Sequence, residues 1–285
     1  MAKCVTMCQN RKHLLDKVGI ALILLGHCFI FKSRRMARQR GILKIEGTLD
    51  ELTFYRSDGG FLVKTKGGIS GDRIANDPTF QRTRENGAEF GMAAGAGKQV
   101  RTAFRNMLMT ASDKLVTSRL TKVMTDVKNL DAANARGERH VHEGFDLPEG
   151  KAVLKGFNFN IRSILSSILF KPYTLNTGTG ALDITGLIPT MDVVAAPGST
   201  HMSITAGWAR VDFATGEFET SISNTVNLPI DGNASNVNLT HAAAPTLATG
   251  INVFVLLVEF FQEVNAVQYS LKNGAHNSLA VIDVV

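Results

Sequence analysis

The stretch ITAGWARVDFATGEFETSISNTVNLPI, residues 204–230, decides the fold class. Ile204, Ala206 and Trp208 alternate with small or polar neighbours, and Val211 and Phe213 continue at the same spacing. Thr215-Gly216 interrupts, then Phe218, Thr220 and Ile222, and Val226, Leu228 and Ile230, resume it. A period of two puts successive side chains on opposite faces of a strand, so this is two strands around a turn. Working outward, Leu182/Ile184 and Val237/Leu239 alternate in the same way, and Ile251 to Phe261 is nearly all apolar. A continuous apolar run of that length fits a strand buried on both faces. Gly178-Thr179-Gly180, Pro197-Gly198, Asp231-Gly232-Asn233 and Asn273-Gly274 supply further turns, and Leu279 to Val285 reads as a last strand. Short strands at this spacing predict an antiparallel β-sandwich of seven or more strands over 150–285.

Upstream the pattern is different. Leu52-Thr53-Phe54-Tyr55 and Phe61-Leu62-Val63 flank Ser57-Asp58-Gly59-Gly60, a hairpin signal. Asp77-Pro78 opens a helical stretch over 77–130, with an acceptor at the N-cap and proline in the first turn. Phe80, Arg84, Ala88, Gly91 and Ala94 recur at helical spacing, Gly95-Ala96-Gly97 is expected to interrupt as a hinge, and Val100, Phe104, Met107, Leu108 and Ala111 continue. Leu115, Leu120, Val123, Val127 and Leu130 complete an amphipathic face. Residues 129–148 are polar and read as a connection. The expected class is therefore α+β: a β-hairpin and helical unit over 36–139, then the sandwich.

All three cysteines, Cys4, Cys8 and Cys28, fall in the first 28 residues. Residues 1–35 also hold seven of the 31 basic residues and one of the 25 acidic ones, which leaves 24 of each sign in the remainder. The net charge of +6 thus belongs to the leader, and the body gives no support to a nucleic-acid reading from its charge balance. The leader's apolar run, Val18 to Phe31, is too short to span a bilayer as a helix, and Lys32-Ser33-Arg34-Arg35 stands where a cleavage site would need small residues. Three readings stay open: upstream sequence before a true start at Met36, a short basic-flanked membrane anchor, or a degenerate export signal. The first places the protein in the cytoplasm or a particle; the others place it at a membrane or outside the cell.

Chemistry-bearing motifs are scarce. Gly91 and Gly97-Lys98 have the wrong spacing for a phosphate loop, and Gln99 stands where Ser or Thr would hold magnesium. His140 and His142, with Glu143 beside them, are metal-ligand types without an evident third and fourth ligand, so they are weak candidates only. No Gly-x-Ser-x-Gly elbow occurs, and Asp183, Asp192, Asp212, Glu217 and Glu219 carry no spacing that marks a carboxylate pair. No catalytic residue and no cofactor is expected.

Charge is distributed unevenly. Residues 78–139 hold 11 basic and 6 acidic side chains, and residues 140–285 hold 6 and 12. Opposite signs on the two parts favour head-to-tail contact between copies, which builds rings or filaments. Arg82, Arg84, Arg101 and Arg105 on one side, and Glu217 and Glu219 on the other, are the candidate contact residues. A second use of Arg82, Arg84, Arg101, Arg105, Arg119 and Lys122, binding of nucleic acid, lacks aromatics for stacking, because Phe80, Phe90 and Phe104 fit the apolar face. The leading reading is a non-enzymatic subunit that self-associates in a phage-tail-like or surface assembly. The alternative is a β-sandwich module binding glycan or protein, with Trp208 or Tyr173 stacking on sugar, although the alternation of Trp208 with Ile204 and Ala206 favours the core.

The segment from Met36 to about Arg105 resembles a family of short, uncharacterised bacterial proteins. The resemblance rests on Met36-Ala37-Arg38, on 47–55 (GTLDELTFY), on Gly60-Phe61-Leu62-Val63, and on 74–78 (IANDP) through 82–90 (RTRENGAEF). It implies a start at Met36 and no activity, and it carries over no site residue.

Overall fold

The computed structural model describes residues 37–65, 68–271 and 275–285. The leader, with its apolar run and cysteines, lies outside the described residues, as does Asn273-Gly274. The chain divides into Met1–Ile69 and Ser70–Val285. That division falls before the helices, whereas the sequence pattern suggests one between 139 and 150.

In the first unit, β1 (Ala37–Arg38), β2 (Gly47–Leu49), β3 (Leu52–Ser57) and β4 (Gly60–Thr65) form one antiparallel sheet in the order β1-β4-β3-β2. Ser57 pairs with Gly60, so Asp58-Gly59 is the expected two-residue loop. The left-handed φ falls on Gly60, at +103°. Lys44 and Arg56 lie over the Phe61 ring, and Lys64 over Tyr55.

The second unit opens with α1 (Gly71–Asn76), capped by the Ser70 hydroxyl. Asp77 then accepts from the Thr79 N–H at 3.0 Å and starts a 3-10 turn at Pro78 that runs into α2 (Gln81–Ala103). The start signal is thus where it was expected. The hinge is not: α2 runs without a break through Gly95-Ala96-Gly97. Gly97 is a crossing point instead, where an added Cβ would lie 3.6 Å from the Leu120 side chain. The helix ends at Phe104 and gives way to α3 (Arg105–Leu108). α4 (Val116–Lys128) buries Leu120, Met124 and Val127. The polar connection is also more ordered than its composition suggests, since it contains α5 (Val141–Asp146), followed by α6 (Pro148–Leu154).

The C-terminal part contains α7 (Leu165–Ile168), β5 (Thr174–Leu175), β6 (Leu182–Leu187), α8 (Pro189–Asp192), β7 (His201–Val211), β8 (Phe218–Pro229), β9 (Ser235–Leu239), β10 (Ile251–Val264), β11 (Val267–Ser270) and β12 (Ser278–Val284). β8, β7 and β10 pair in that order, and the far edge of β10 is shared by β12 along Val253–Val258 and β11 along Phe261–Val264. This sheet curls as a half-barrel. β5, β6 and β9 form a separate three-stranded sheet.

The large sheet is covered on both faces. Trp208, Ala206, Ile204, Phe254, Leu256, Val258, Phe260 and Ile282 face Leu182, Ile184, Leu187, Val237 and Leu239 of the small sheet. Ala209, Val211, Val253, Val255, Leu257 and Val281 face Val100, Phe104, Met107, Leu120, Met124 and Phe145 of the helices. The expected two-faced burial of the Ile251 to Phe261 run is therefore present from Val253 to Val258 and at Phe260. Helices, not strands, supply the layer on its second side, and the fold is a mixed α+β one. Gly207 sits where the bend between α2 and α3 meets the sheet; a Cβ there would lie 2.8 Å from both the Met107 sulfur and a Val255 methyl.

β10 and β11 are joined by Asn265-Ala266, with φ of +52° and +61°. Two positive φ values suit the tightest hairpin turns, and asparagine tolerates them better than alanine. Ala266→Gly should raise the thermal unfolding midpoint, with a gain of up to about 1 kcal/mol.

Candidate interaction groove

The basic candidates separate once folded. Arg82 and Arg101 both lie on α2, and 19 residues at 1.5 Å put them roughly 28 Å apart. Arg84 turns inward, donating to the carbonyls of Ile74 at 2.7 Å and Asp77 at 3.0 Å, where it closes the end of α1. Arg119 is equally committed: it pairs with Asp113, donates to the carbonyls of Asn158 and Phe159, and lies over the Phe157 ring. Burial is the largest influence on Asp113 and raises its pKa, but the N–H groups of Ile161 and Leu115 and the charge of Arg119 outweigh it and hold the carboxyl below its usual range. Arg82, Arg84, Arg101, Arg105, Arg119 and Lys122 therefore do not make one phosphate-binding track.

Arg101 and Arg105 do come together. One turn apart, they share with Lys98 a cavity of about 410 Å³ whose remaining walls are Thr102, Leu108, Met109, Ser112 and Val116. Among the described residues no carboxylate lines it. Among the described residues none of the three cations has an ion pair, and the Arg101 Nε is buried without a hydrogen-bond partner. Ser112 leads into a second cavity of about 450 Å³ walled by Asp113, Lys114, Leu115, Ile161 and Arg162. Among the described residues its one carboxylate is Asp113, which is paired with Arg119. Three large apolar side chains stand in the open along this path: Met109 at 77 % exposure, Leu115 at 61 % and Ile161 at 53 %. Leu115 was expected on the core side of its helix. It precedes α4 in a turn fixed by the Asp113 carboxylate, which accepts its N–H at 2.6 Å, and this turn leaves its side chain outside. The result is a groove with an apolar floor and a cationic rim.

The acidic candidates have different uses. Glu219 accepts from the Thr246 N–H and hydroxyl and from the Leu247 N–H, fixing the loop after β9; the Thr246 N–H is the leading cause of its lowered pKa. Glu217 is exposed immediately before β8. Asp212 likewise serves a turn, accepting from the Thr249 hydroxyl and from the N–H groups of Ala214 and Thr215.

His140 and His142 lie together, with ring centroids 5.0 Å apart, and His142 Nε2 is 3.4 Å from Glu143. The His140 N–H is bonded to Asp131, which fixes the entry into α5. Among the described residues no group of three or more His, Cys, Asp or Glu side chains is placed to hold a metal ion. Trp208 is 4 % exposed, stacks on Phe254 and donates its Nε1–H to Asn252, so it belongs to the core and offers no face to a sugar. Phe90, expected on the apolar face of α2, is 61 % exposed. Among the described residues no helix is long and apolar enough to cross a membrane. No protein-family model matches the chain, and no curated protein or solved structure matches it.

Proposed function

We propose that the chain is a non-enzymatic contact subunit that associates with further copies of itself, in a phage-tail-like or surface assembly, and that its two facing sheets are an incomplete β-sandwich serving as the frame. The observation that carries this reading is the groove of Lys98, Arg101 and Arg105 beside exposed Met109, Leu115 and Ile161. Three cations that have no ion pair among the described residues, over an apolar floor, fit an occupant that is acidic and apolar at once. A second copy offers such a surface, because residues 140–285 carry twice as many acidic as basic side chains. Exposed apolar groups rimmed by charge are a common mark of protein contact sites.

Charge reversal at the groove tests it. The double variant Arg101→Glu, Arg105→Glu alters exposed or half-exposed positions and leaves the core residues untouched. At low salt and high concentration, light scattering is expected to give a lower mass for this variant than for the wild type, with unchanged thermal unfolding. Equal masses for the two proteins would remove the groove from the contact.

A further inference from the structure

The small sheet does not cover the large one to its edge. β5 is only two residues long, and beside it α7 and residues 169–173 fill in for the missing strand next to β12. A cavity of about 400 Å³ opens there, walled by the loop around Lys155 to Asn158, by α7, by Phe170 to Tyr173, and by Ala280 to Ile282. Its floor is apolar and belongs to the buried layer between the sheets, with Leu165, Leu169, Ala280 and Ile282 each under 9 % exposed. Its rim holds the ammonium groups of Lys155 and Lys171, the Tyr173 hydroxyl, the Ser166 hydroxyl and the exposed Phe170 ring. This is the size and make-up of a small-molecule site: mostly apolar walls with a few convergent polar groups.

The rim is rich in donors. Lys155 is ion-paired with Asp283 at 2.8 Å and Lys171 with Asp192 at 3.5 Å, and each ammonium carries three N–H donors. The carboxylates are further engaged by backbone, Asp283 by the Val284 N–H and Asp192 by the Ile188 N–H. Burial raises the pKa of Tyr173, opposed by the Lys155 charge and reinforced by Asp283, so its hydroxyl stays protonated and able to donate. An occupant must bring acceptors at the rim and an apolar body to the floor.

We infer that this opening between the sheets binds a single-chain amphiphile with a carboxylate head, of the medium-chain fatty-acid class, head at Lys155, Lys171 and Tyr173 and tail over Leu165, Leu169 and Ile282. The inference does not depend on self-association. Its test is titration calorimetry of the full chain with sodium decanoate, with decanol as the comparison that lacks a charged head. Decanoate is expected to bind once per chain and more tightly than decanol. Lys171→Met and Tyr173→Phe should each weaken decanoate by about tenfold or more, the range for a hydrogen bond to a charged group, and leave decanol unchanged. Ser166→Trp, at an exposed wall position, should block both ligands, while Ser166→Ala should block neither. Absence of decanoate binding, equal binding of decanol, or binding undisturbed by Ser166→Trp would each overturn the assignment. Binding to phosphatidylglycerol vesicles without binding of decanoate would overturn it in favour of a membrane surface.

Discussion

Glu89→Ala is expected to destabilise the protein by about 3–5 kcal/mol, the range seen when one partner of a buried ion pair is removed. Glu89 is 4 % exposed, on the inner face of α2. It pairs with Lys128 of α4, itself 3 % exposed, and with Arg139 at 2.9 Å, and it accepts the Gly137 N–H at 2.8 Å. One carboxylate thus ties two helices and the polar connection together. Removing it leaves the Lys128 ammonium buried without a counter-charge. Glu85→Ala, one turn earlier and 3.9 Å from an exposed Arg136, should cost under about 1 kcal/mol. Chemical denaturation of the two variants against wild type measures both values.

The same cluster sets an acid limit. Burial is the largest influence on Glu89 and would raise its pKa, but Lys128, the Gly137 N–H and Arg139 together bring it down to about 2 from a usual 4.5. Asp131 also falls to about 2 from 3.8: burial again opposes, and the His140 N–H, the Asn134 side chain and N–H, and the Ala133 N–H prevail. A carboxyl whose folded pKa lies below its unfolded one contributes stability above the unfolded pKa and loses it as pH falls through the folded one. The contribution of these two carboxyls should therefore be fully present above about pH 5 and be lost between roughly pH 4.5 and 2. Glu89→Gln should flatten the slope of stability against pH there. An unchanged slope in Glu89→Gln would show that Glu89 is not the group responsible.

Gly144→Ala and Gly150→Ala are the other large expected losses, each about 3 kcal/mol or more, at the upper end for overpacking. α5 crosses α4 at Gly144, where a Cβ would lie 2.2 Å from the Val127 carbonyl oxygen. α6 meets α5 at Gly150, where a Cβ would lie 2.0 Å from the Gly144 oxygen. Both obstacles are backbone, so relief requires the helices to separate. Gly87→Ala in α2 is the contrast: a Cβ there meets nothing within 4 Å, and the change should stabilise by up to about 1 kcal/mol through helix propensity. Thermal unfolding of the three variants should move in opposite directions, and a tolerated Gly144→Ala would refute the close crossing.

These cases also mark how far the sequence was readable. Alternation over 204–230 and the nearly all-apolar run from Ile251 to Phe261 reveal strands because burial imposes a pattern on each strand separately. The start of α2 at Asp77-Pro78 is readable for the same reason: capping is local chemistry. The uninterrupted course of α2 is not, since a glycine at a helix crossing and a glycine at a hinge look identical in sequence. Nothing local in the sequence marks Glu89 as a buried ion-pair partner, because the residues it meets lie 39 and 50 positions away. Residues 129–148 read as loose because they are polar, yet Asp131 spends its carboxylate on the chain itself, accepting from Ala133, Asn134 and His140. Of the groove, the sequence offers Arg101 and Arg105 among the basic candidates, but not as a pair. The exposure of Leu115 and the approach of Ile161 are not visible in it, because a turn and a distant segment decide them. The cavity beside β12 joins segments more than 100 residues apart and leaves no trace in either.

We propose charged contact between copies as the way this molecule works. Sedimentation velocity of the wild-type chain over a range of concentrations, at low and at high salt, tests it most directly. Mass that grows with concentration at low salt and falls back when salt screens the contact is the expected result. A monomer at every concentration and every salt would contradict it.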